Sequence, residues 1–127
     1  MAARLLDRKV KVDAFIASSA KRARKTASLF IKEFGGEKED IILVPELYLA
    51  GPDAFYDAIA KAPASANTIA LFAHNPGITE FANELTDVRI DDMPTCAIFA
   101  INVDIKDWGE FKNAKKEYWF FDYPKAV

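Results

Sequence analysis

One stretch limits the folds open to this chain more than any other, and it is Thr68–Gly77, TIALFAHNPG. An apolar run, Ile69–Ala73, leads directly into the only histidine of the sequence, His74, and then into an Asn-Pro-Gly turn. A short, wholly apolar, β-rich run is typical of a strand inside a parallel sheet, because helices cover both of its faces. Apolar residues at helical spacing follow the turn. We therefore predict that His74 lies at the carboxyl end of a buried strand and before a helix N-terminus, where open α/β sheets bind ligands. A packed or exposed structural histidine is the alternative interpretation.

Strands and helices alternate along the rest of the chain. Strands are predicted over Asp13–Ser19, Asp40–Val44, Cys96–Val103 and Glu117–Tyr123, and helices over residues 1–8, Ala20–Phe34, from Pro52 to about Lys61, and Gly77–Leu85. Three strand–helix alternations followed by two strands predict an α/β fold, a three-layer α/β/α sandwich with a mixed or mostly parallel sheet. Residues 88–94 are interpreted as an aspartate-rich loop and residues 107–116 as a polar connector.

Composition excludes several classes of protein. At 127 residues the chain is predicted to form one domain, and its net charge of −2 argues against a general nucleic-acid binder. A single cysteine, Cys96, excludes an intrachain disulfide, and one cysteine with one histidine disfavours a structural zinc site. No apolar run reaches membrane-spanning length and no signal peptide is recognisable. The expectation is a cytoplasmic protein without a metal or cofactor, in which Asp91 and Asp92 belong to a solvated loop rather than a cation site.

A second candidate binding segment is Ser18–Thr26, SSAKRARKT, where another strand passes into a helix. Arg22 falls in the first helical turn, beside backbone donors without partners, and an arginine there can hold a phosphoryl group through paired hydrogen bonds. The other basic residues, Lys21, Arg24 and Lys25, are interpreted as a solvated helix face. Arg22 differs from them because it is predicted to share the carboxyl edge of the sheet with His74.

Four blocks in order, SSAKRARKTA, PELYLAGPDAF, LFAHNPGITEFANELT and MPTCAIFAI, resemble the phosphohistidine phosphatases of the SixA type. These are small members of the histidine phosphatase superfamily, related to phosphoglycerate mutases. The resemblance runs from about Asp13 to Val103 and extends toward Pro124, and it implies the three-layer α/β sandwich predicted above. It also implies removal of phosphate through a covalent phosphohistidine, from a phosphorylated protein histidine or a small phosphate ester, with no cofactor.

The resemblance assigns roles to three residues. His74 in AHNPG matches the second histidine of the family, which donates hydrogen bonds to the transferring phosphoryl group, and Arg22 matches the phosphate-binding arginine after the second strand. The family commonly has Ser-Pro where this chain has Ser18-Ser19, a mild departure that leaves Arg22 in place. Glu46 is a weaker match to a glutamate that donates a proton in some branches of the superfamily, and a solvated carboxylate is the alternative.

The family's first strand has no counterpart in this sequence. That strand carries an Arg-His motif whose histidine is the nucleophile, whereas the sequence begins at Met1 in what resembles the later part of the first helix. The chain is therefore predicted to lack the nucleophile, the first phosphate-binding arginine and one central strand, and to show no turnover by itself. Three explanations stay open: an N-terminally truncated reading of a larger enzyme, which we favour, a deliberately shortened or renumbered chain, and a non-catalytic relative. Codons upstream of Met1 would discriminate among them.

Other functions fit parts of the pattern. A non-catalytic module that binds a phosphorylated partner is the main alternative, and a third is an α/β fragment that forms a homodimer to cover the missing strand. A receiver-like or flavodoxin-like domain also fits the alternation, but no acidic cluster follows the first strand and no flavin signature is present. Cys96 is interpreted as a buried strand residue, because a β-rich apolar run follows it instead of a phosphate-cradling loop.

Overall fold

Strands and helices alternate in the computed structural model, which describes residues 2–48, 51–91, 93–94 and 97–123. The helices are α1 (Ala2–Asp7), α2 (Lys21–Glu33), α3 (Pro52–Ala60) and α4 (Gly77–Leu85), and the strands are β1 (Ala14–Ser18), β2 (Ile42–Val44), β3 (Ile69–Phe72), β4 (Ile98–Val103) and β5 (Lys116–Asp122). Short 3₁₀ turns cover Lys38–Asp40, Pro45–Leu47 and Trp108–Asn113.

The first three strands form a parallel sheet in the order β2-β1-β3. Ile16 in β1 pairs with Ile42 on one side and with Leu71 on the other. Strands β4 and β5 pair with each other antiparallel, with an irregularity after Ala100. The predicted α/β class with a mostly parallel central sheet is confirmed, and the two closing strands are a separate pair within the described chain.

Alternation along β1 directs its side chains into two hydrophobic cores, one on each face of the sheet. Ile16 enters the first core, which α3, α4 and the 3₁₀ turn at residues 108–113 enclose through residues such as Phe55, Phe81 and Phe111. Phe15 enters the second core, under α1 and α2. Helices on both sides of a sheet give the three layers that the sequence predicts.

Helix α2 forms over almost the whole predicted range because one stripe of it is apolar. Ala23, Ala27, Phe30 and Ile31 are buried on that stripe. Gly35 stops the helix with a φ of +84°, a left-handed conformation that glycine adopts without steric cost. The Gly35 N–H then donates to the Lys32 carbonyl and the Gly36 N–H to the Ile31 carbonyl.

Two element predictions were wrong in detail. Lys38–Asp40 forms a 3₁₀ turn, so the second strand begins at Ile42 rather than at Asp40. The predicted polar connector contains the 3₁₀ turn Trp108–Asn113, which buries Phe111. A capping box between Asp107 and Glu110 starts this turn. The Asp107 side chain accepts a hydrogen bond from the Glu110 backbone N–H, and the Glu110 side chain accepts one from the Asp107 backbone N–H.

Two residues considered in the sequence, Asp92 and Cys96, lie outside the described residues. The described strand that follows Cys96 starts at Ile98. Across the described ranges, each helix is too short or too polar to cross a lipid bilayer.

Candidate functional site

The turn between β3 and α4 fixes the position of His74. Strand β3 ends at Phe72, and α4 begins at Gly77 after a cis Asn75–Pro76 peptide bond. The Ile78 N–H donates to the His74 carbonyl at 3.2 Å, so the backbone of His74 closes the first turn of the helix. The imidazole is thereby held at the carboxyl end of the strand and at the positive end of the α4 dipole.

The imidazole of His74 is half-buried, and its Nδ1 atom is fully enclosed. This Nδ1 has no hydrogen-bond partner among the residues that the structure describes. The ring of Tyr48 meets the imidazole edge-on, with 6.0 Å between the ring centroids. A buried polar atom without a partner costs free energy, of the order of 1–3 kcal/mol.

Arg22 lies in the first turn of α2, one residue after the helix begins at Lys21. The turn before it is fixed by Ser18, which is fully buried and whose Oγ accepts a hydrogen bond from the Ala20 N–H at 3.2 Å. The side chain of Arg22 is exposed, and the described residues offer it no ion pair or hydrogen bond. With no acidic residue in the first turn of α2, this end of the helix is electropositive.

Parallel pairing places Arg22 and His74 at the same edge of the sheet. Ala17 in β1 is in register with Phe72 in β3, so both strands end at the same level, and each then leads into a helix. No hydrogen bond joins the two side chains within the described part of the chain.

Glu46 lies in the 3₁₀ turn after β2 and is exposed. It lines an open cleft of about 610 Å³. The described lining of the cleft is Glu46, Tyr48, Gly51, Pro52, Asp53, Ala54 and Glu84. Tyr48 separates the acidic cleft from His74, since its ring contacts the imidazole and also lines the cleft. The three carboxylates of the cleft disfavour an anion there, in contrast to the basic start of α2.

A hydrogen-bonded clamp around Thr79 was missed by sequence reasoning. The buried Thr79 hydroxyl donates to Asn75 Oδ1 and accepts from the Met93 N–H at 3.0 Å. Asn75 Nδ2 in turn donates to the Met93 carbonyl at 3.0 Å. The clamp ties the turn that carries His74 to the loop after α4. The only local sequence signal is the spacing of Asn75 and Thr79, four residues apart around a helix start.

Asn83 makes a second two-point connection to the same loop. Its Oδ1 accepts from the Ile90 N–H and its Nδ2 donates to the Ile90 carbonyl, both at 2.8 Å. Arg89 also donates to the Asn83 carbonyl at 2.8 Å. The aspartate-rich loop is therefore held against α4 by the side-chain amides of Asn75 and Asn83. Asp91, the described aspartate of this loop, is exposed.

Two ionisable groups, Tyr56 in α3 and Lys116 in β5, have perturbed pKa values. Burial, and then the nearby Glu84 carboxylate, raise the pKa of Tyr56 above its usual value. The Tyr56 hydroxyl donates a long hydrogen bond of 3.4 Å to Glu84 Oε1. Burial lowers the pKa of Lys116, whose ammonium lies 5.5 Å from the centre of the Tyr56 ring. These groups belong to the first core rather than to the edge that carries His74 and Arg22.

Two solved structures share this fold. A protein from Nakamurella multipartitia, described as a proposed phosphohistidine phosphatase SixA, aligns with 98% of this chain and 78% of its own, with a TM-score of 0.72 and 20% identity. A protein from Agrobacterium tumefaciens with the same description aligns with 97% of this chain and 75% of its own, with a TM-score of 0.73 and 20% identity. No family model matches the sequence, and no curated protein matches it. The predicted phosphoglycerate mutase-like sandwich is thus confirmed as a fold.

Proposed function

We propose that this chain forms the phosphate-binding part of a phosphohistidine phosphatase-type site, for a phosphorylated protein histidine or a small phosphate ester. The observation that carries the proposal is the position of His74 and Arg22 at one edge of the sheet, each beside a helix N-terminus. Two proteins with this fold are described as SixA-type phosphatases, which supports the same reading.

Each proposed role follows from charge and position. Arg22 offers two parallel N–H donors to phosphoryl oxygens, and the N-terminus of α2 adds a positive field. His74 donates a hydrogen bond to the phosphoryl group when it is transferred, which stabilises the charge that spreads over the oxygens. Glu46 is kept as a proton-donor proposal, since Tyr48 lines the same cleft and its ring also contacts His74.

The chemical step itself needs a group that this sequence does not supply. In the reaction that the resemblance implies, a histidine nitrogen attacks phosphorus, the bond to the leaving group breaks, and water later cleaves the new P–N bond. His74, the only histidine of the sequence, is assigned to the supporting role. We therefore propose that the 127-residue chain, by itself, binds oxyanions as a binding module but does not hydrolyse a phosphorylated substrate. The cytoplasmic location and the homodimer stay predictions from the sequence.

Oxyanion binding tests the proposal directly. Phosphate or tungstate at about tenfold above its dissociation constant would add roughly 1.4 kcal/mol of stability, a rise of about 3–6 °C in melting temperature. We expect Arg22→Ala and His74→Gln to abolish this ligand-induced rise. The matched control is Arg24→Ala, which removes an exposed arginine of the same helix and should leave the rise intact. No stabilisation of the unaltered chain at millimolar tungstate would refute the site.

A hydrolysis assay separates the binding module from the enzyme. With phosphohistidine or an aryl phosphate as substrate, we expect release of phosphate at the rate of the uncatalysed reaction. Turnover that disappears in His74→Ala would contradict the proposal that this chain is inactive by itself.

A further inference from the structure

The exposed face of helix α2 is basic from its first turn to its last. The basic residues on this face are all exposed, and they are Lys21, Arg22, Lys25 and Lys32. Glu33, the last residue of α2, is the only acidic residue in the helix. Among the residues that the structure describes, none of these basic side chains forms an ion pair. Their positive charge is therefore available to a binding partner.

One large apolar side chain, Leu29, lies within this basic face. Leu29 is 59% exposed, the highest value among the large apolar residues that the structure describes. Residues three or four apart share one side of a helix, so a single stripe contains Arg22, Lys25, Leu29 and Lys32. An apolar anchor surrounded by charged residues is typical of a contact with a folded protein, whose interfaces combine an apolar centre with a polar rim.

The helices on the other face of the sheet carry the opposite charge. Helices α3 and α4 contain no basic residue, and their acidic residues are all exposed: Asp53, Asp57, Glu80 and Glu84. These two helices pack against the first core, whereas α2 packs against the second, so the sheet separates the acidic layer from the basic face. An acidic partner is therefore attracted to α2 and repelled from α3 and α4.

We propose that the exposed face of α2 binds an acidic surface of a folded partner protein, with Leu29 at the centre of the contact. The partner's role rests on the proposed function: the face begins at Arg22, so a phosphorylated side chain of the bound protein can lie at the sheet edge that carries His74. From Arg22 the face extends along a helix of about 20 Å, which a small phosphate ester does not reach. Of the two substrate classes, this surface suits the phosphorylated protein.

The same face is less suited to the other polyanions that a basic helix can bind. A nucleic-acid backbone offers phosphates to the lysines but no apolar contact to Leu29. A helix that lies on a membrane needs a broad apolar face, whereas Leu29 is flanked by Lys25 and Lys32. An acidic protein surface supplies both the carboxylates and the apolar contact.

Fluorescence anisotropy with two labelled helical peptides tests the proposal. The acidic probe is an acetylated and amidated peptide of about 18 glutamate, alanine and leucine residues, long enough to form a helix in water. The control probe has glutamine in place of every glutamate. At low ionic strength we expect saturable binding of the acidic probe, at least about tenfold tighter than that of the control probe, and weaker binding as salt is added.

Three variants locate the binding face. We expect Lys25→Glu/Lys32→Glu to weaken binding of the acidic probe at least about tenfold, and Leu29→Ala to weaken it at least about threefold. The matched control is Lys61→Glu/Lys106→Glu, the same change in net charge at exposed lysines outside α2, and it should alter the affinity less than about twofold. Neither probe carries phosphate, and the tungstate-induced rise in melting temperature should persist in the α2 double variant. Failure of this face and failure of the oxyanion site are thus distinguishable.

Several outcomes would overturn the proposal. No binding of the acidic probe, equal affinity for the two probes, equal losses in the two double variants, or full affinity in Leu29→Ala would each do so. Tighter binding to phosphatidylserine vesicles or to duplex DNA than to the acidic probe would assign the face to another polyanion. Self-association at low salt that Lys25→Glu/Lys32→Glu abolishes would assign it to the acidic layer of a second copy instead.

Discussion

Thr79 joins helix α4 to the loop that follows it, through bonds to Asn75 and to the Met93 backbone. Thr79→Val keeps the shape of the side chain and leaves a buried amide oxygen and a buried N–H without this partner. We expect a loss of about 1–3 kcal/mol in the free energy of unfolding, measured by urea denaturation. Thr26→Val is the control, a half-buried threonine of α2, and should change stability by less than about 0.5 kcal/mol. Equal losses in the two variants would show that the clamp contributes nothing.

The raised pKa of Tyr56 predicts how the stability of the fold changes at alkaline pH. Its pKa is raised in the folded state by burial and then by Glu84, so the unfolded chain loses the phenol proton first as the pH rises. This contribution to stability is complete below the ordinary tyrosine value of about 10 and is lost as the pH rises toward the raised pKa.

Tyr56→Phe removes that titration. We expect the variant to be close to the parent chain in stability at pH 8, since the lost hydrogen bond to Glu84 is long. Above pH 10 the parent chain should lose stability relative to the variant, in urea titrations at each pH. Lys116, whose lowered pKa acts in the opposite direction, is present in both chains and cancels. A constant difference across the pH range would contradict the prediction.

Some single-residue features can be predicted from the local sequence, whereas others depend on contacts that form only in the folded chain. His74 and Arg22 could be selected from the sequence because each follows a strand and starts a helix, a local pattern. The Thr79 clamp could not, because Met93 reaches Thr79 only after the loop folds back on α4. Tyr56 is perturbed by Glu84 on a different helix, which local spacing does not reveal either.

At the scale of elements, the end of α2 depends on Gly35. Its φ of +84° is unfavourable for any residue with a Cβ, and no atom lies within 4 Å of where that Cβ would be, so the cost is purely conformational. Gly35→Ala should lower the free energy of unfolding by about 1 kcal/mol. Gly35→Asn should lose less, because asparagine tolerates the left-handed region. Urea denaturation of the two variants measures both, and an alanine variant as stable as the asparagine variant would be inconsistent with this account.

Helices were predicted more accurately than strands. The stripe of Ala23, Ala27 and Phe30 fixes α2 locally, so its predicted and observed bounds nearly coincide. The 3₁₀ turn at Trp108–Asn113 was overlooked although Asp107 and Glu110 have the spacing of a capping box, because the segment is polar around one buried residue, Phe111. The pairing of β4 with β5 depends on register between distant residues, which periodicity alone does not encode.

At the scale of the whole molecule, local alternation sufficed to predict the α/β/α layers. The placement of His74 and Arg22 after the carboxyl ends of two paired strands followed from the same pattern, since parallel strands end at a common edge. The division into a three-stranded and a two-stranded sheet did not follow, because it depends on which backbone edges pair. The missing first strand and its nucleophile stay predictions of the resemblance.

The first helix and the last strand are tied together by an ion-pair network around Asp122. Arg4 Nη1 lies 2.7 Å from Asp122 Oδ1 and donates at 2.9 Å to the Tyr123 carbonyl. Arg8 lies 3.9 Å from Asp122 Oδ2 and has its guanidinium 4.0 Å above the Phe120 ring. Because Asp122 is buried, the pair is less screened by salt than a surface pair.

Asp122→Asn should therefore destabilise the chain by about 1–3 kcal/mol, whereas Glu117→Gln, at an exposed position of the same strand, should be nearly neutral. Loss of the Asp122 charge is expected to cost more than the loss of its hydrogen bonds, because this carboxylate faces the guanidinium groups of both Arg4 and Arg8. A double-mutant cycle with Arg8→Met isolates that effect. The loss from Asp122→Asn should shrink when Arg8 is absent, by about 0.5 kcal/mol or more, in urea denaturation at low salt. Additive losses would mean that Arg8 does not couple to Asp122, which would leave Arg4 as the described partner of this carboxylate.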